Sequence, residues 1–218
     1  MKKELLSPLN SLPYFTIEAV KQLLEDESVA AGTVQTLLYR WMKSGQIIQI
    51  KKGVYMTRRF YELHRADANF APAVSAILIP QSYLSMEYIL QLNGIITEVT
   101  YPITAITQKQ TRVFESKLGT FTYRHIKEDL YSGFETLEYM GIPFYQATLA
   151  KALFDYLYFR PWRSSEHVAS YDLAEALRLN LEEFSEHDRA EFTEFVEMSK
   201  SNKMDRILKN LRKNIWQP

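Results

Sequence analysis

The sequence predicts an α+β protein, because its apolar residues follow a helical period near both ends of the chain and a strand period in the middle. Over residues 16–43, and again after residue 147, apolar residues recur at the spacing of a helix with one buried face. From about residue 99 to 146 they alternate with polar residues in short runs, which is typical of an antiparallel sheet. We therefore expect helices on both sides of a small antiparallel sheet.

Composition limits the class of protein. At 218 residues with 46% hydrophobic residues, the chain is long enough to fill two modest cores. It contains no cysteine, which excludes disulfide bonds, thiolate zinc sites and cysteine nucleophiles. There is no long apolar run, and the N-terminus MKKELLSPLNSL lacks the unbroken apolar core of a secretion signal. We expect a cytoplasmic protein with no membrane partner.

The charge is unevenly distributed, although the formal net charge is zero. Residues 1–60 contain nine Lys or Arg and five Asp or Glu, a net charge of +4, so the remaining 158 residues carry −4. A basic N-terminal region favours a negatively charged partner at that end of the molecule.

Two short helices are predicted within residues 16–43. Thr16 caps the first, and its inward-facing residues are Ala19, Val20, Leu23 and Leu24. The second opens at Gly32-Thr33, where glycine permits the turn and the threonine hydroxyl can cap free amides. Its apolar stripe is made of Val34, Leu37, Leu38, Trp41 and Met42.

A hairpin follows the second helix. Ser44-Gly45 ends the helix, Gln46 to Ile50 is rich in β-branched residues, and Val54 to Met56 continues as a second strand. The turn between the strands is Lys51-Lys52-Gly53, where glycine supplies positive φ. Two short helices followed by a hairpin with lysines at its tip indicate a winged helix-turn-helix over residues 1–60.

The polar face of the second helix and the hairpin tip are the predicted DNA-binding surface. An α-helix fits the major groove, Gln and Arg can pair bidentately with bases, and lysines neutralise phosphates. The candidate residues are Thr33, Gln35, Thr36, Tyr39, Arg40, Lys43, Lys51, Lys52, Arg58 and Arg59. The alternative is a merely solvated polar face on a domain that binds protein.

Residues 61–218 are predicted to form the second domain, with its sheet over about 99–146 and a helical tail over about 147–218. Before the sheet we expect a buried helix ending near Ile79. A further helix is expected to be capped by Ser82 or Ser85 and to end at Asn93-Gly94. Its inward residues are predicted to be Tyr88, Ile89 and Leu92.

The tail is predicted to form a helix that starts near Ala147 and ends before Pro161, then two acidic helices and a basic one. Residues 166–199 hold ten acidic and two basic side chains, whereas 200–218 hold six basic and one acidic. The last helix has an apolar seam of Ile207, Leu208, Leu211 and Ile215. Its cations pair with the acidic helices, bind DNA or contact a second subunit; the sequence leaves all three open.

A second set of cations lies on two neighbouring predicted strands, where alternation would gather them on one face. They are Lys109, Arg112, Arg124 and Lys127. The functional interpretation is a second DNA-phosphate surface, and the alternative is a solvated sheet face.

Nothing in the sequence indicates an assembled catalytic, cofactor or metal site. The seven glycines are scattered singly, and the four histidines show no paired-ligand spacing, so we expect no cofactor, no metal and no enzyme activity. The alternative is an enzyme or modifier that acts on a partner through Asp129, Asp155 or His125.

Three segments resemble a known family. The runs SYLSMEYILQLNGII, YPITAITQKQTRVFESKLGTFTYRHIK and ATLAKALFDYLYFR occur in the order found in the AbiEi family, the antitoxins of bacterial abortive-infection type IV toxin-antitoxin systems. The resemblance covers most of the chain up to about residue 160. The chain departs from the family at Thr148, Leu149 and Ala150, where many relatives carry a proline and a glutamate.

The resemblance implies a DNA-binding transcriptional autorepressor and antitoxin used in phage defence. Its implied partners are an inverted repeat upstream of its own operon and a cognate nucleotidyltransferase-like toxin, which it counters without needing a stable complex. Because such operators contain two half-sites, we expect a monomer or weak dimer with two copies on the DNA.

Overall fold

The protein has a helical N-terminal region with a small sheet, a larger central sheet, and helices at the C-terminal end. A computed structural model describes residues 6–25, 31–97, 102–161, 172–182 and 184–216. The α+β class predicted from the sequence is confirmed.

The N-terminal region combines two helices with a three-stranded antiparallel sheet in the order β1-β3-β2. A short 3-10 turn, Pro8–Ser11, precedes these elements. The helices and strands of this region are β1 (Phe15–Thr16), α1 (Ile17–Glu25), α2 (Ala31–Lys43), β2 (Ile47–Lys51) and β3 (Val54–Thr57).

The apolar stripes of α1 and α2 face each other in a small core. Val20 and Leu24 of α1 are buried, as are four residues of α2: Val34, Leu37, Leu38 and Trp41. The Thr16 hydroxyl accepts a hydrogen bond from the Ala19 amide at 3.4 Å, as expected of a cap. The predicted helix pair is therefore confirmed, although residues 26–30 between the helices lie outside the described part of the chain.

Two helices lead from the hairpin into the central region. Helix α3 (Arg58–His64) begins at Thr57, whose buried hydroxyl accepts the Phe60 amide at 3.1 Å. Helix α4 (Phe70–Leu78) is the buried helix expected before Ile79, and eight of its nine residues are buried. Helix α3 was not expected as a separate helix from the sequence.

The central sheet has six strands in the order β6-β7-β5-β4-β9-β8. Its strands β5 and β7 are parallel, as are β4 and β9, and the other neighbouring pairs are antiparallel. The strands are β4 (Ser82–Leu84), β5 (Ile103–Thr107), β6 (Arg112–Ser116), β7 (Gly119–His125), β8 (Phe134–Tyr139) and β9 (Ile142–Ala147).

The predicted small antiparallel sheet is therefore corrected to a larger mixed one. Strand alternation is the same in parallel and antiparallel pairs, so the period could not distinguish them. Strand β4 was missed because all three of its residues are buried, which leaves no alternation to detect.

The segment after Ile79 also differs from its prediction. Either Ser82 or Ser85 was expected to cap a helix, but Ser82 starts β4 and the Ser85 hydroxyl donates to Asp155 at 2.8 Å. Helix α5 (Glu87–Leu92) begins after Met86, and the hydroxyl of Thr104 on β5 accepts a hydrogen bond from the Tyr88 amide in its first turn at 3.1 Å. Ile89 is buried as expected, whereas Leu92 is exposed.

The C-terminal helices pack on the central sheet through the first of them, and the others pack mainly on that helix and on one another. They are α6 (Leu149–Phe159), α7 (Leu173–Leu177), α8 (Glu186–Ser199) and α9 (Asn202–Asn214). The seam predicted for the last helix is confirmed at Ile207, Leu208 and Leu211, which are buried. Within the described residues, we find no helix with the length and apolar character needed to cross a membrane.

The main hydrophobic core extends beyond the central sheet. It contains Ile50 of β2, Met56 of β3 and Phe60 of α3 together with residues of α4 and the sheet. The hairpin therefore contributes to two cores, because Ile47 and Tyr55 belong to the smaller N-terminal cluster.

Candidate nucleic-acid interface

Helix α2 separates its residues cleanly into a buried and an exposed face. The residues of its apolar stripe pack against α1 and the small sheet. Its polar residues Gln35, Thr36, Tyr39, Arg40 and Lys43 are exposed, with the Tyr39 side chain 60% accessible. Thr33 belongs to the same helix, but its side chain lies outside the described set. Five of the predicted residues thus lie on the exposed side of one helix.

The hairpin tip is a two-residue turn. Lys51 and Val54 form the last pair of the ladder, so Lys52 and Gly53 make the turn, and Gly53 has φ +80°. Lys52 is exposed. The Gly53 carbonyl accepts a hydrogen bond from the Ile17 amide at 3.3 Å, which fastens the tip to the start of α1. Lys52 is therefore presented on a turn with defined geometry.

Lys51 contacts protein rather than extending outward. Its ammonium donates to the carbonyls of Ile77 at 2.5 Å and Leu78 at 3.3 Å, at the C-terminal end of α4. Burial lowers the pKa of Lys51, and the nearby charge of Lys109 adds to this effect. The Lys51 ammonium is thus bound within the protein, whereas its neighbour Lys52 is exposed.

Arg58 and Arg59 lie on α3, not on the hairpin. The Arg58 guanidinium is 2.7 Å from the Glu62 carboxylate and lies over the Tyr61 ring. Arg59 lines an open cleft of about 460 Å³ together with Leu63 and Met140. Arg58 also lines a cleft with Met42 of α2, so the two arginines lie in different surroundings.

The second set of cations is not gathered on one face. Arg112 pairs with Tyr123 across β6 and β7, so Arg124, the next residue along β7, points to the opposite face of the sheet. The Arg124 guanidinium lies 5.8 Å from the Phe159 ring centre. Lys109 lies near Lys51, and Lys127 follows β7 and is exposed. Alternation therefore does not assemble the four residues as expected.

A buried charged network on α6 was not predicted. Asp155 accepts hydrogen bonds from Lys151 at 2.7 Å, Ser85 at 2.8 Å and Tyr83 at 2.9 Å. Lys151 and Asp155 have no exposed side-chain surface. The Lys151 ammonium also lies 4.7 Å from the ring centre of Phe154 and 5.0 Å from that of Phe195. The sequence signal was a lysine and an aspartate one turn apart in an otherwise apolar helix.

Burial dominates the titration of this network. It raises the pKa of Asp155, although the Lys151 charge opposes the shift. It lowers the pKa of Lys151, and there Asp155 acts in the opposite direction. It also raises the pKa of Tyr83, to which the neighbouring Asp155 contributes. The network joins β4 and the residue after it, Ser85, to α6.

The residues of the alternative enzyme hypothesis are separated by exposure. Asp155 is buried, whereas His125 and Asp129 are exposed. The His125 ring nitrogen Nδ1 is 3.1 Å from the Gln108 carbonyl, a contact between the ends of β5 and β7. Over the described ranges, no three His, Asp or Glu side chains are close enough to hold a metal ion.

Comparison with known proteins adds no relative. No protein-family model matches the chain, and no curated protein matches it. The resemblance to the AbiEi family therefore stays a prediction from the sequence.

Proposed function

We propose that this protein is a DNA-binding transcriptional autorepressor that also acts as an antitoxin. The observation that carries the proposal is α2, which buries one complete face and exposes Gln35, Tyr39, Arg40 and Lys43 on the other. Together with α1 and the β2–β3 hairpin, this arrangement supports a winged helix-turn-helix with α2 as recognition helix.

The chemistry of the exposed face suits a duplex. Gln35 can pair with adenine and Arg40 with guanine through two hydrogen bonds each. The ring of Tyr39 can pack on a thymine methyl or a sugar. Lys43 and Lys52 supply charge for phosphates on either side of the groove. A helix of this length spans about 20 Å, enough to cover several base pairs.

The charge of α2 favours DNA over a protein partner. Its sequence AGTVQTLLYRWMK has two basic residues and no acidic residue. Tyr39 is the one feature of this face that would also suit a protein partner, because exposed aromatic residues anchor protein interfaces. The polar and cationic residues around it fit phosphates and base edges better.

The antitoxin role is supported by the three family-like segments. They correspond to β4 with α5, to β5 through β7, and to α6, which pack into one unit around the central sheet. We propose that this unit counters a nucleotidyltransferase-like toxin encoded nearby, and that two copies of the protein occupy the operator.

Binding to the upstream DNA of its own gene tests the repressor function. The protein is titrated onto that duplex and onto a scrambled duplex of equal length at two salt concentrations. A Gln35→Ala/Arg40→Ala/Lys52→Ala variant should lose the preference for the native duplex, with about 1 to 3 kcal/mol lost for each base contact removed.

An Arg206→Ala/Lys209→Ala variant is the control. It removes the same number of charges from exposed positions on α9 and should keep the sequence preference. If the native protein does not distinguish the two duplexes, the repressor function is wrong. If the test variant keeps the preference for the native duplex, α2 is not the recognition helix.

A growth assay tests the antitoxin function separately. Cells expressing the neighbouring toxin gene should grow when this protein is co-expressed, and the triple-alanine variant should protect them equally under a constitutive promoter. Continued growth arrest with the native protein would contradict the antitoxin role and leave the repressor role intact.

A further inference from the structure

The Lys51 side chain makes a polar contact between the base of the hairpin tip and the central region. Lys51 is the last paired residue of β2, directly before Lys52 and Gly53. Its side chain runs away from the tip to α4, where the ammonium donates to the carbonyls of Ile77 and Leu78. These two hydrogen bonds cross between two regions of the molecule.

These carbonyls are a favourable partner for an ammonium. The last carbonyls of a helix have no amide partner within the helix, and they form the negative end of its dipole. α4 ends at Leu78, and the next amide, that of Ile79, bonds to Ser75 instead. Lys51 therefore satisfies acceptors that α4 itself leaves open, at a half-buried position where its charge is poorly hydrated.

The tip is held from two sides. On one side the Gly53 carbonyl accepts the Ile17 amide at the start of α1. On the other side Lys51 binds the end of α4, and Ile50 and Val54 pack into the main core beside it. Lys52, which lies between these attachments, is exposed. The direction in which Lys52 projects is thus fixed by both attachments.

We propose that Lys51 is a positioning residue for DNA binding: it does not contact phosphate itself but fixes the hairpin tip so that Lys52 does. The inference rests on the proposed repressor function. It reassigns one of the two tip lysines, which the sequence alone treats as equivalent.

The alternative is that Lys51 releases α4 and contacts DNA directly. Each phosphate contact contributes about 0.9 to the slope of log affinity against log salt. A direct contact therefore changes the slope, whereas a positioning residue changes affinity at every salt concentration without changing the number of phosphates bound. Substitution of Lys51 and Lys52 together separates the two roles, because a residue that acts through Lys52 has no effect once Lys52 is removed.

The experiment compares Lys51→Met, Lys52→Ala and the double variant in the full chain, using operator binding at four salt concentrations. Methionine keeps most of the apolar stem and removes the ammonium. We expect Lys51→Met to lose about two- to fivefold in affinity, with the slope unchanged. This is the range that a cation at a helix C-terminus typically contributes, and without it the tip must be ordered by DNA binding. Lys52→Ala should reduce the slope by about 0.9. In the Lys52→Ala background, Lys51→Met should have no further effect.

Two further measurements complete the test. The thermal midpoint of Lys51→Met should fall by about 2 to 4 °C, because the α4 carbonyls lose their partner. A Lys51→Arg variant should restore affinity, since a guanidinium can donate to the same carbonyls. Lys209→Met, on α9, controls for the loss of one exposed charge.

The outcomes are distinct. Unchanged affinity in Lys51→Met overturns the proposal. A slope reduced by about 0.9 in Lys51→Met, with losses that add in the double variant, also overturns it, because that is the result expected of a direct phosphate contact. If the native protein binds operator and scrambled duplex equally, the repressor function fails and the positioning role fails with it. Specific binding with an inert Lys51 contradicts the positioning role alone.

Discussion

Helices α2 and α6 both carry polar residues on an apolar framework, but they use them in opposite ways. α2 places Gln35, Arg40 and Lys43 in solvent, whereas α6 places Lys151 and Asp155 where neither has any exposed surface. Exposed polar residues contribute little to stability and are free to be selected for binding. Buried charges must be satisfied within the fold, so they are fixed by folding rather than by a partner.

The largest effect should come from breaking the buried pair. Asp155→Ala leaves the Lys151 ammonium buried without its carboxylate and removes the acceptor of Tyr83 and Ser85. We expect a loss of about 3 to 5 kcal/mol in the free energy of unfolding, measured by urea denaturation. The triple substitution on α2 and the hairpin should cost less than about 1.5 kcal/mol in the same assay, roughly 0.5 for each exposed site.

A double variant sharpens this comparison. Lys151→Met/Asp155→Leu removes both charges and keeps similar volume, so it should be more stable than Asp155→Ala. If Asp155→Ala costs less than about 1 kcal/mol, the network is not the internal constraint that its contacts indicate.

A smaller effect is expected at Gly133, which packs against the same network. A Cβ at this position would lie 2.3 Å from Cζ of Phe195 and 3.1 Å from Cβ of Lys151, and the residue has φ +76°. Gly133→Ala should therefore cost about 2 to 4 kcal/mol, from overpacking and backbone strain together.

Gly141 is a matched control, because its φ is +77° and a Cβ there would meet no atom within 4 Å. Gly141→Ala should cost only the strain of the left-handed backbone, about 1 kcal/mol. Equal losses in the two variants, measured by thermal denaturation, would show that the contact with Phe195 is not rigid.

The sequence predicted the elements with exposed faces better than the buried ones. The stripe from Val34 to Trp41 could be recognised because polar residues interrupt it at helical spacing. β4 could not be recognised, since Ser82, Tyr83 and Leu84 are all buried and show no alternation of buried and exposed residues. Periodicity detects a boundary between core and solvent, so an element without such a boundary gives no signal.

The same limit applies to the candidate site. Exposure of Gln35, Tyr39 and Arg40 followed from their place opposite the apolar stripe. The contact of Lys51 with α4 joins residues 26 positions apart, and no local pattern contains it. Likewise, the carboxylate of Asp155 meets Tyr83 from 72 positions away. Contacts between distant segments depend on how the elements pack, which periodicity does not encode.

The smallest expected effect comes from an exposed carboxylate. Hydrogen bonds from Tyr139 and His64 lower the pKa of Asp67 below its ordinary value near 3.8. A lowered folded-state pKa means that the stabilisation is present above the unfolded-state value and is lost as the pH falls through the folded-state value. Asp67→Asn should therefore be slightly less stable than the native protein at neutral pH.

The difference should shrink as the solution is acidified below about pH 4, and urea midpoints recorded between about pH 2.5 and 7 measure it. A gap that stayed constant over this range would show that the Asp67 charge is not involved. At neutral pH, Asp67→Asn should lose much less free energy of unfolding than Asp155→Ala, and this difference would separate a solvated carboxylate from a buried one.

The shared core has a consequence for how such a protein can change by recombination. Ile50, Met56 and Phe60 belong to the N-terminal sixty residues but pack into the core of the central sheet. A gene fusion that exchanged those residues for the DNA-binding region of another protein would leave cavities or clashes at these three positions. For the proposed repressor function, new operator specificity is therefore acquired more readily by changes on the exposed face of α2 than by exchange of the whole region.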